Sequence, residues 1–373
     1  MAYLDVADAL SSLQDVNNWL GRSAYAGDAF ANCEYQEVRI SSVAISRDEV
    51  FANYALGPNK STATVTLNND DAIGSASLNA SGNWSDGLAP SAGKTYETYR
   101  FRLRTPADGA SRIFAGQSLN IDGGSITWKG TASSTLTVTN LTVSGDCERL
   151  NAGSGTFTLA GNLTVNSAEA MLRANNGQIN LTANLSGGGN LLHTLNTVTL
   201  GGNNPNFTGK TIVGDGRFSS LSIDSEARLG ANPTNFVADQ LTFNRGTFYN
   251  SGSLTISNAN RGIRVGVSAA LFNVAPGTTL TLGSPLSSPA SGDTLLTSPL
   301  YPNPVSGMLI KDNTGTLILT HPNNSHAGEV VINSGTLTVT NLSGTLAANN
   351  FFQLFNASAT TGVFAASRVN WWR

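Results

Sequence analysis

Between Thr156 and Leu181 the chain alternates apolar and polar residues in short bursts. Thr156-Phe157-Thr158-Leu159, Leu163-Thr164-Val165 and Ile179-Asn180-Leu181 each send apolar side chains one way and Thr or Asn the other. This period of two predicts strands with one buried face, and the Gly and Asn residues between them predict the breaks. The bursts recur in register. Leu119, Leu141, Leu163 and Leu185 follow one another at intervals of 22 residues, with Asn140, Asn162 and Asn184 one position earlier. Laying residues 141–162 over 163–184 without gaps also matches Thr142 to Thr164, Val143 to Val165, Gly155 to Gly177 and Leu159 to Leu181. A unit of that length cannot bury its own apolar face, whereas stacked units bury a continuous one. The expected architecture is therefore all-β, a parallel β-helix (β-solenoid) of about 22 residues per coil and roughly a dozen coils, with an inward ladder of asparagines.

A longer repeat points the same way. Thr197 to Gly216 (TVTLGGNNPNFTGKTIVGDG) overlies Thr316 to Gly335 (TLILTHPNNSHAGEVVINSG) at a constant offset of 119, and each copy reads strand, Asn-rich turn, strand. The run LILTHPNNSHAGEVVINSGTLTV resembles the autotransporter-associated β-strand repeat. Residues 228–282 are similar to units that accompany that repeat in large secreted bacterial proteins. This resemblance, spanning roughly 75–363, implies a right-handed parallel β-helix exposed outside the cell, one segment of a larger polypeptide, with no particular chemistry attached.

The first residues follow another pattern. Asn17-Asn18-Trp19-Leu20-Gly21-Arg22-Ser23, then Glu37-Val38-Arg39-Ile40 and Ile45-Ser46-Arg47-Asp48-Glu49-Val50, resemble the closing strands of a laminin-G/concanavalin-like jelly roll. Trp19, Arg22, Glu37 and Arg39 keep that pattern, while Gln36 and Cys33 depart from it. The domain reading is a partial segment over 1–57 acting as a small β N-terminal cap, a linker at 58–74 marked by Gly57-Pro58, and the parallel β-helix over 75–373.

Composition narrows the functions. Only 12% of residues are charged, and 21 Lys+Arg against 24 Asp+Glu leave a net charge of −3, which offers no electrostatic footprint for nucleic acid. No stretch is long and apolar enough to insert in a membrane, and Met1 to Leu20 lacks the regions of an export signal, so extracellular or cell-surface placement rests on the resemblance. Cys33 and Cys147 stand far apart and outside any CxxC spacing, which argues for two free thiols. His193, His321 and His326 lack metal-ligand spacing, and Gly187-Gly188-Gly189 has no GK[ST] nearby, so neither a metal nor any cofactor is expected.

The remaining chemistry is carboxylate chemistry. Glycoside hydrolysis needs two carboxylates, about 5 Å or about 6.5–9.5 Å apart, and a lyase needs a base with cations that neutralise a uronate. The candidate catalytic residues are Asp146, Glu148, Glu169, Asp215, Asp224 and Glu226. Arg149, Arg173, Arg217 and Arg228 are candidates for anion contact and Trp128 for stacking on a sugar. The 22-residue overlay sets Glu148, Arg149, Glu169 and Arg173 on neighbouring rungs. A mixed patch of this kind also reads as a solvated ladder of ion pairs. The expected function is a non-catalytic extracellular scaffold for adhesion or glycan contact. The alternative is a carbohydrate-active enzyme, a glycoside hydrolase or polysaccharide lyase using the acidic residues. The expected partner is a polysaccharide, and open solenoid ends favour self-association.

Overall fold

The computed structural model describes residues 64–70, 78–130, 132–144, 155–166, 168–288 and 307–340. The chain divides into two units, Met1–Thr62 and Ala63–Arg373, and every described residue belongs to the second. The jelly-roll-like segment at 1–57 and both cysteines lie outside the described residues.

The described residues form a parallel β-solenoid of about 9 turns. A long sheet runs from Thr64–Thr66 through Ser134–Val143, Thr156–Val165 and Ser219–Ile223 to Met308–Asp312 and Val330–Ile332. A second sheet stacks Glu169–Arg173, Asn190–Thr194, Thr211–Val213, Val237–Phe243, Arg261–Val265 and Leu286–Ser287. A third, confined to the C-terminal half, stacks Leu254–Ile256, Thr279–Leu282, Thr316–Leu319 and Thr336–Val339. The first strand, Thr64–Thr66, pairs with Thr95–Glu97 and so places part of the 58–74 stretch in the stack, where a linker was expected.

The register observed is the register read from the repeat. Leu119 pairs with Leu141, Leu141 with Leu163, and Leu163 with Leu185. Because parallel coils put like positions above one another, the inward residues form ladders. One runs Phe157, Ile179, Val198, Leu221, Phe248, Phe272, all within 1% of full burial. Each such side chain contributes about 1.5–3 kcal/mol relative to exposure. Aromatic clusters close the wider parts of the core: Trp84 meets Tyr96 edge-on at 4.9 Å, and Phe243 meets Phe272 at 5.5 Å. Gly161 turns the Thr156–Val165 strand at φ 106, where a Cβ would lie 1.9 Å from the Val138 carbonyl of the coil below.

Three expectations change. The coil length is 22 only in the regular stretch: Ile179 to Val198 spans 198 − 179 = 19 residues and Phe272 to Lys311 spans 311 − 272 = 39. The asparagine ladder lies on the exposed outside, not in the core. Asn184 Nδ2 donates to Asn162 Oδ1 at 3.4 Å, and Asn162 Nδ2 to the Thr139 carbonyl at 2.9 Å. Leucines fill the interior at that corner, so the amides turn out to where they tie successive turns together. The 119-residue overlay keeps its strand-turn-strand pattern, but Thr197–Leu200 lies in the long sheet and Thr316–Leu319 in the third. A turn asparagine does the same work in both copies, one position later in the second. Asn204 Oδ1 accepts from Leu185 N and Asn324 Oδ1 from Leu286 N, each at 2.8 Å.

Candidate functional site

Asp146, Glu148 and Arg149 lie outside the described residues, so the neighbouring-rung arrangement is seen only from its other half. There Glu169 and Arg173 end the strand Glu169–Arg173 on its outer face, alternating with buried Ala170 and Leu172. Arg173 Nη2 lies 3.4 Å from the Met171 sulfur, and both charged residues are engaged.

The other acidic loop divides into two places. Asp215 closes a turn, taking the Arg217 amide at 3.3 Å and facing the Arg217 guanidinium at 3.6 Å. Asp224 stands beyond the far end of the five-residue strand Ser219–Ile223. At about 3.3 Å per residue that strand alone separates the two carboxylates by roughly 13 Å, beyond the spacing either hydrolytic mechanism uses. Asp224 holds Arg228 in a fork, 2.7 Å to Nε and 3.1 Å to Nη2, which keeps its carboxyl below the usual range. Arg228 in turn donates to the Gly202 carbonyl of the preceding coil at 2.9 Å.

Glu226 opens the 3-10 turn Glu226–Leu229, which Ser225 caps. Its carboxylate takes the Ser257 amide at 2.7 Å, the Ser257 hydroxyl at 2.9 Å and the Asn258 amide at 3.1 Å. Arg261, 1% exposed, faces the same carboxylate at 3.4 Å. The guanidinium then donates to the carbonyls of Leu229, Gly230 and Ala231 and to Asn232 Oδ1, at 3.1–3.2 Å. Burial lowers the proton affinity of Arg261 and Glu226 offsets part of that. A carboxylate with three backbone and hydroxyl donors and a buried cation is a structural anchor.

Trp128 is not a sugar platform. It is 2% exposed, stacks on Phe157 at 5.5 Å and donates from Nε1 to Ser134 Oγ at 2.9 Å, so its rings face the core.

Among the histidines, His193 is fully buried in the ladder between Leu172 and Val213, and neither ring nitrogen has a hydrogen-bond partner among the described residues. Desolvation pushes its pKa down to about 3, so it is neutral at working pH. His326 is buried beside Ser288, with 3.1 Å between Nδ1 and the hydroxyl. His321 accepts the Asn323 amide at 3.0 Å in a turn. No metal-binding group of three His, Cys, Asp or Glu occurs among the described residues. No helix among them is long and apolar enough to cross a membrane.

Several charged residues escaped the sequence reading. Lys311 is wholly buried, its ammonium 2.7 Å from the Asp312 carbonyl, 2.6 Å from that of Asn313 and 3.1 Å from that of Ser334. Asp239 bridges three successive coils, 2.8 Å from Lys210 and 3.7 Å from Arg264. Arg261 and Lys311 each sit on the inward phase of a strand, beside Ile263 and Leu309, and that phase was the signal available in the sequence.

The lysine cage lies within a stretch that comparison with known families picks out. Residues 309–339 match the passenger-associated-transport-repeat. The repeat covers most of Met308–Asp312 and the whole of Thr316–Leu319, Val330–Ile332 and Thr336–Val339, which make up the last described coils. It agrees with the autotransporter passenger reading of the same residues, implies a secreted or surface location, and does not extend to the N-terminal segment. No curated protein and no solved structure matches the chain.

Proposed function

We propose that this chain is a passenger-type β-helix that serves outside the cell as a non-catalytic scaffold for adhesion or glycan contact. The observation that carries the reading is the employment of its carboxylates. Asp215, Asp224, Glu226 and Asp239 each hold a turn or join coils, and Glu226 does both. The passenger-associated-transport-repeat supports the surface location, and the rigid ladders support a display role. A panel of polysaccharides and chromogenic glycosides, presented to the purified chain, tests this. The expected result is no turnover, with retention on at least one glycan surface. Turnover abolished by Glu226→Gln or Asp224→Asn without a change in melting temperature would overturn it.

A further inference from the structure

We infer that Asn206 and Asn323 are acceptor sites for an N-linked sugar, transferred from a diphosphate-activated donor by a separate enzyme of the producing cell. The acceptor signature for such a transfer is Asn-x-Ser/Thr, with x other than Pro, on the surface of an exported protein. In a chain this rich in Asn, Ser and Thr the signature recurs by composition alone, so exposure and bonding must select among the copies. Asn140-Leu141-Thr142, Asn162-Leu163-Thr164 and Asn184-Leu185-Ser186 carry it along the corner ladder. Each of these amides is spent on the preceding coil. Asn140 Nδ2 donates to the Gln117 carbonyl at 3.1 Å, Asn162 Nδ2 to the Thr139 carbonyl at 2.9 Å and Asn184 Nδ2 to Asn162 Oδ1 at 3.4 Å. Asn79 is held at both ends, its Nδ2 by the Ile113 carbonyl at 2.7 Å and its Oδ1 by the Ala115 amide at 3.0 Å, and Asn83 is also engaged. Asn180 is half-buried in the strand Gln178–Leu181, which is paired on both sides.

Asn206 and Asn323 differ from all of these. Both are exposed, and neither side-chain amide has a partner among the described residues. They occupy the Asn-rich turns of the two copies of the longer repeat, each directly after a proline: Pro205-Asn206-Phe207-Thr208 and Pro322-Asn323-Asn324-Ser325. In the first, Phe207 N donates to the Asn204 carbonyl at 3.1 Å, closing a turn with proline at its second position, where the fixed φ suits it. Phe207 is 1% exposed and anchors the triplet, while Asn206 and Thr208 on either side of it stay at the surface. In the second, Asn324 is the anchor, through its bond to Leu286 N, and Asn323 and Ser325 are the exposed flanks. Both turns therefore present a free amide and the required hydroxyl residue together. In the transfer, the bond from Nδ2 to the sugar C1 forms as the bond from C1 to the phosphate oxygen breaks. The diphosphate carrier leaves, and the amide gives up one of its two protons. Nothing in the fold is lost at these turns, whereas at the corner ladder the same step would crowd the amides that join coils. A sugar also supplies solvation to a surface on which only 12% of the chain's residues are charged, and the secreted or surface location implied by the passenger repeat is where it would be displayed.

Incubation of the folded full chain with sugar donors, followed by peptide mapping in a mass spectrometer, tests the sites. One arm uses a nucleotide-activated hexose with a soluble N-glycosyltransferase, the other a lipid-linked diphosphate oligosaccharide with an oligosaccharyltransferase. The expected result is sugar on Asn206 and Asn323 in at least one arm, which identifies the donor class, and none on Asn140, Asn162 or Asn184. Thr208→Ala should abolish the sugar at Asn206 alone and Ser325→Ala that at Asn323 alone, both at unchanged melting temperature. Absence of sugar from both turns in both arms would overturn the sites. Equal occupancy at the corner asparagines would overturn the selection by free amides, and a sugar that survives loss of the hydroxyl residue would show unspecific addition instead.

Discussion

The coils between Leu119 and Leu185 and those between Asp224 and Val339 reach the same fold by different means. In the first stretch the ladder leucines follow one another at 22 residues, the inward positions are apolar, and corner asparagines bond from turn to turn. In the second, coil length varies, from 317 − 280 = 37 residues between Leu280 and Leu317 to 336 − 316 = 20 between Thr316 and Thr336, and carbonyls near the corners are taken by buried cations. Arg261 takes three of these and Lys311 another three, while Glu226 takes two amides. A buried charge is costly unless fully partnered, and here backbone groups supply the partners. The lesson is that charge on an irregular solenoid marks where a corner departs from the repeat, before it marks chemistry.

The comparison breaks most visibly at Arg261. Arg261→Ala leaves three carbonyls and Glu226 without their cation, and is expected to cost about 3–5 kcal/mol in urea unfolding. A loss under 1 kcal/mol would mean that the irregular coils do not depend on it. Leu159→Ala, in the regular stretch and wholly buried, should cost about 2–5 kcal/mol by cavity formation. If it costs nothing, the leucine ladder is not the core that holds those coils. Solenoid unfolding can proceed coil by coil, so each loss is best read with probes in both stretches.

His193 sharpens the contrast through pH. It is the titratable side chain within the apolar ladder of Leu172 and Val213, with a pKa of about 3 in the fold against 6.5 unfolded. The unfolded state binds the extra proton below pH 6.5. Its contribution is therefore complete above that value and is lost as pH falls from 6.5 toward 3, at about 1.4 kcal/mol per unit. Unfolding of wild type and His193→Leu between pH 7 and 4.5 should diverge by that slope, and parallel curves would refute the assignment. The smallest effect belongs to Asp224. That carboxylate is 70% exposed, so Asp224→Asn should cost under about 1 kcal/mol. The little it contributes is present above the ordinary carboxylate pKa and lost as pH falls through the lowered one. A loss of several kcal/mol would show that the Arg228 fork does more than trim the corner.

How far the sequence foretold this follows the same division. Leu119, Leu141, Leu163 and Leu185 announced the register because nothing interrupts their spacing. Thr316–Leu319 changed sheets relative to Thr197–Leu200 because periodicity reports a strand and its buried side, not the face of the coil it joins. The asparagine ladder was visible, but its direction was set by neighbouring leucines that had already filled the interior. Glu226, Asp224 and Arg228 were legible as a charged cluster, and their employment was not, since their partners Ser257, Asn258, Arg261 and Gly202 come from other coils. Trp128 looked available only because an aromatic in a short strand carries no sign of which side it faces.

The most direct test is hydrogen exchange, followed by mass spectrometry, on wild type and Glu226→Gln, with glycan turnover measured on the same samples. The account predicts faster exchange at residues 226–232 and 257–261, unchanged protection across 134–200, and no turnover in either protein. Unchanged protection at 226–232 and 257–261, together with a wild-type turnover that the substitution abolishes, would contradict it.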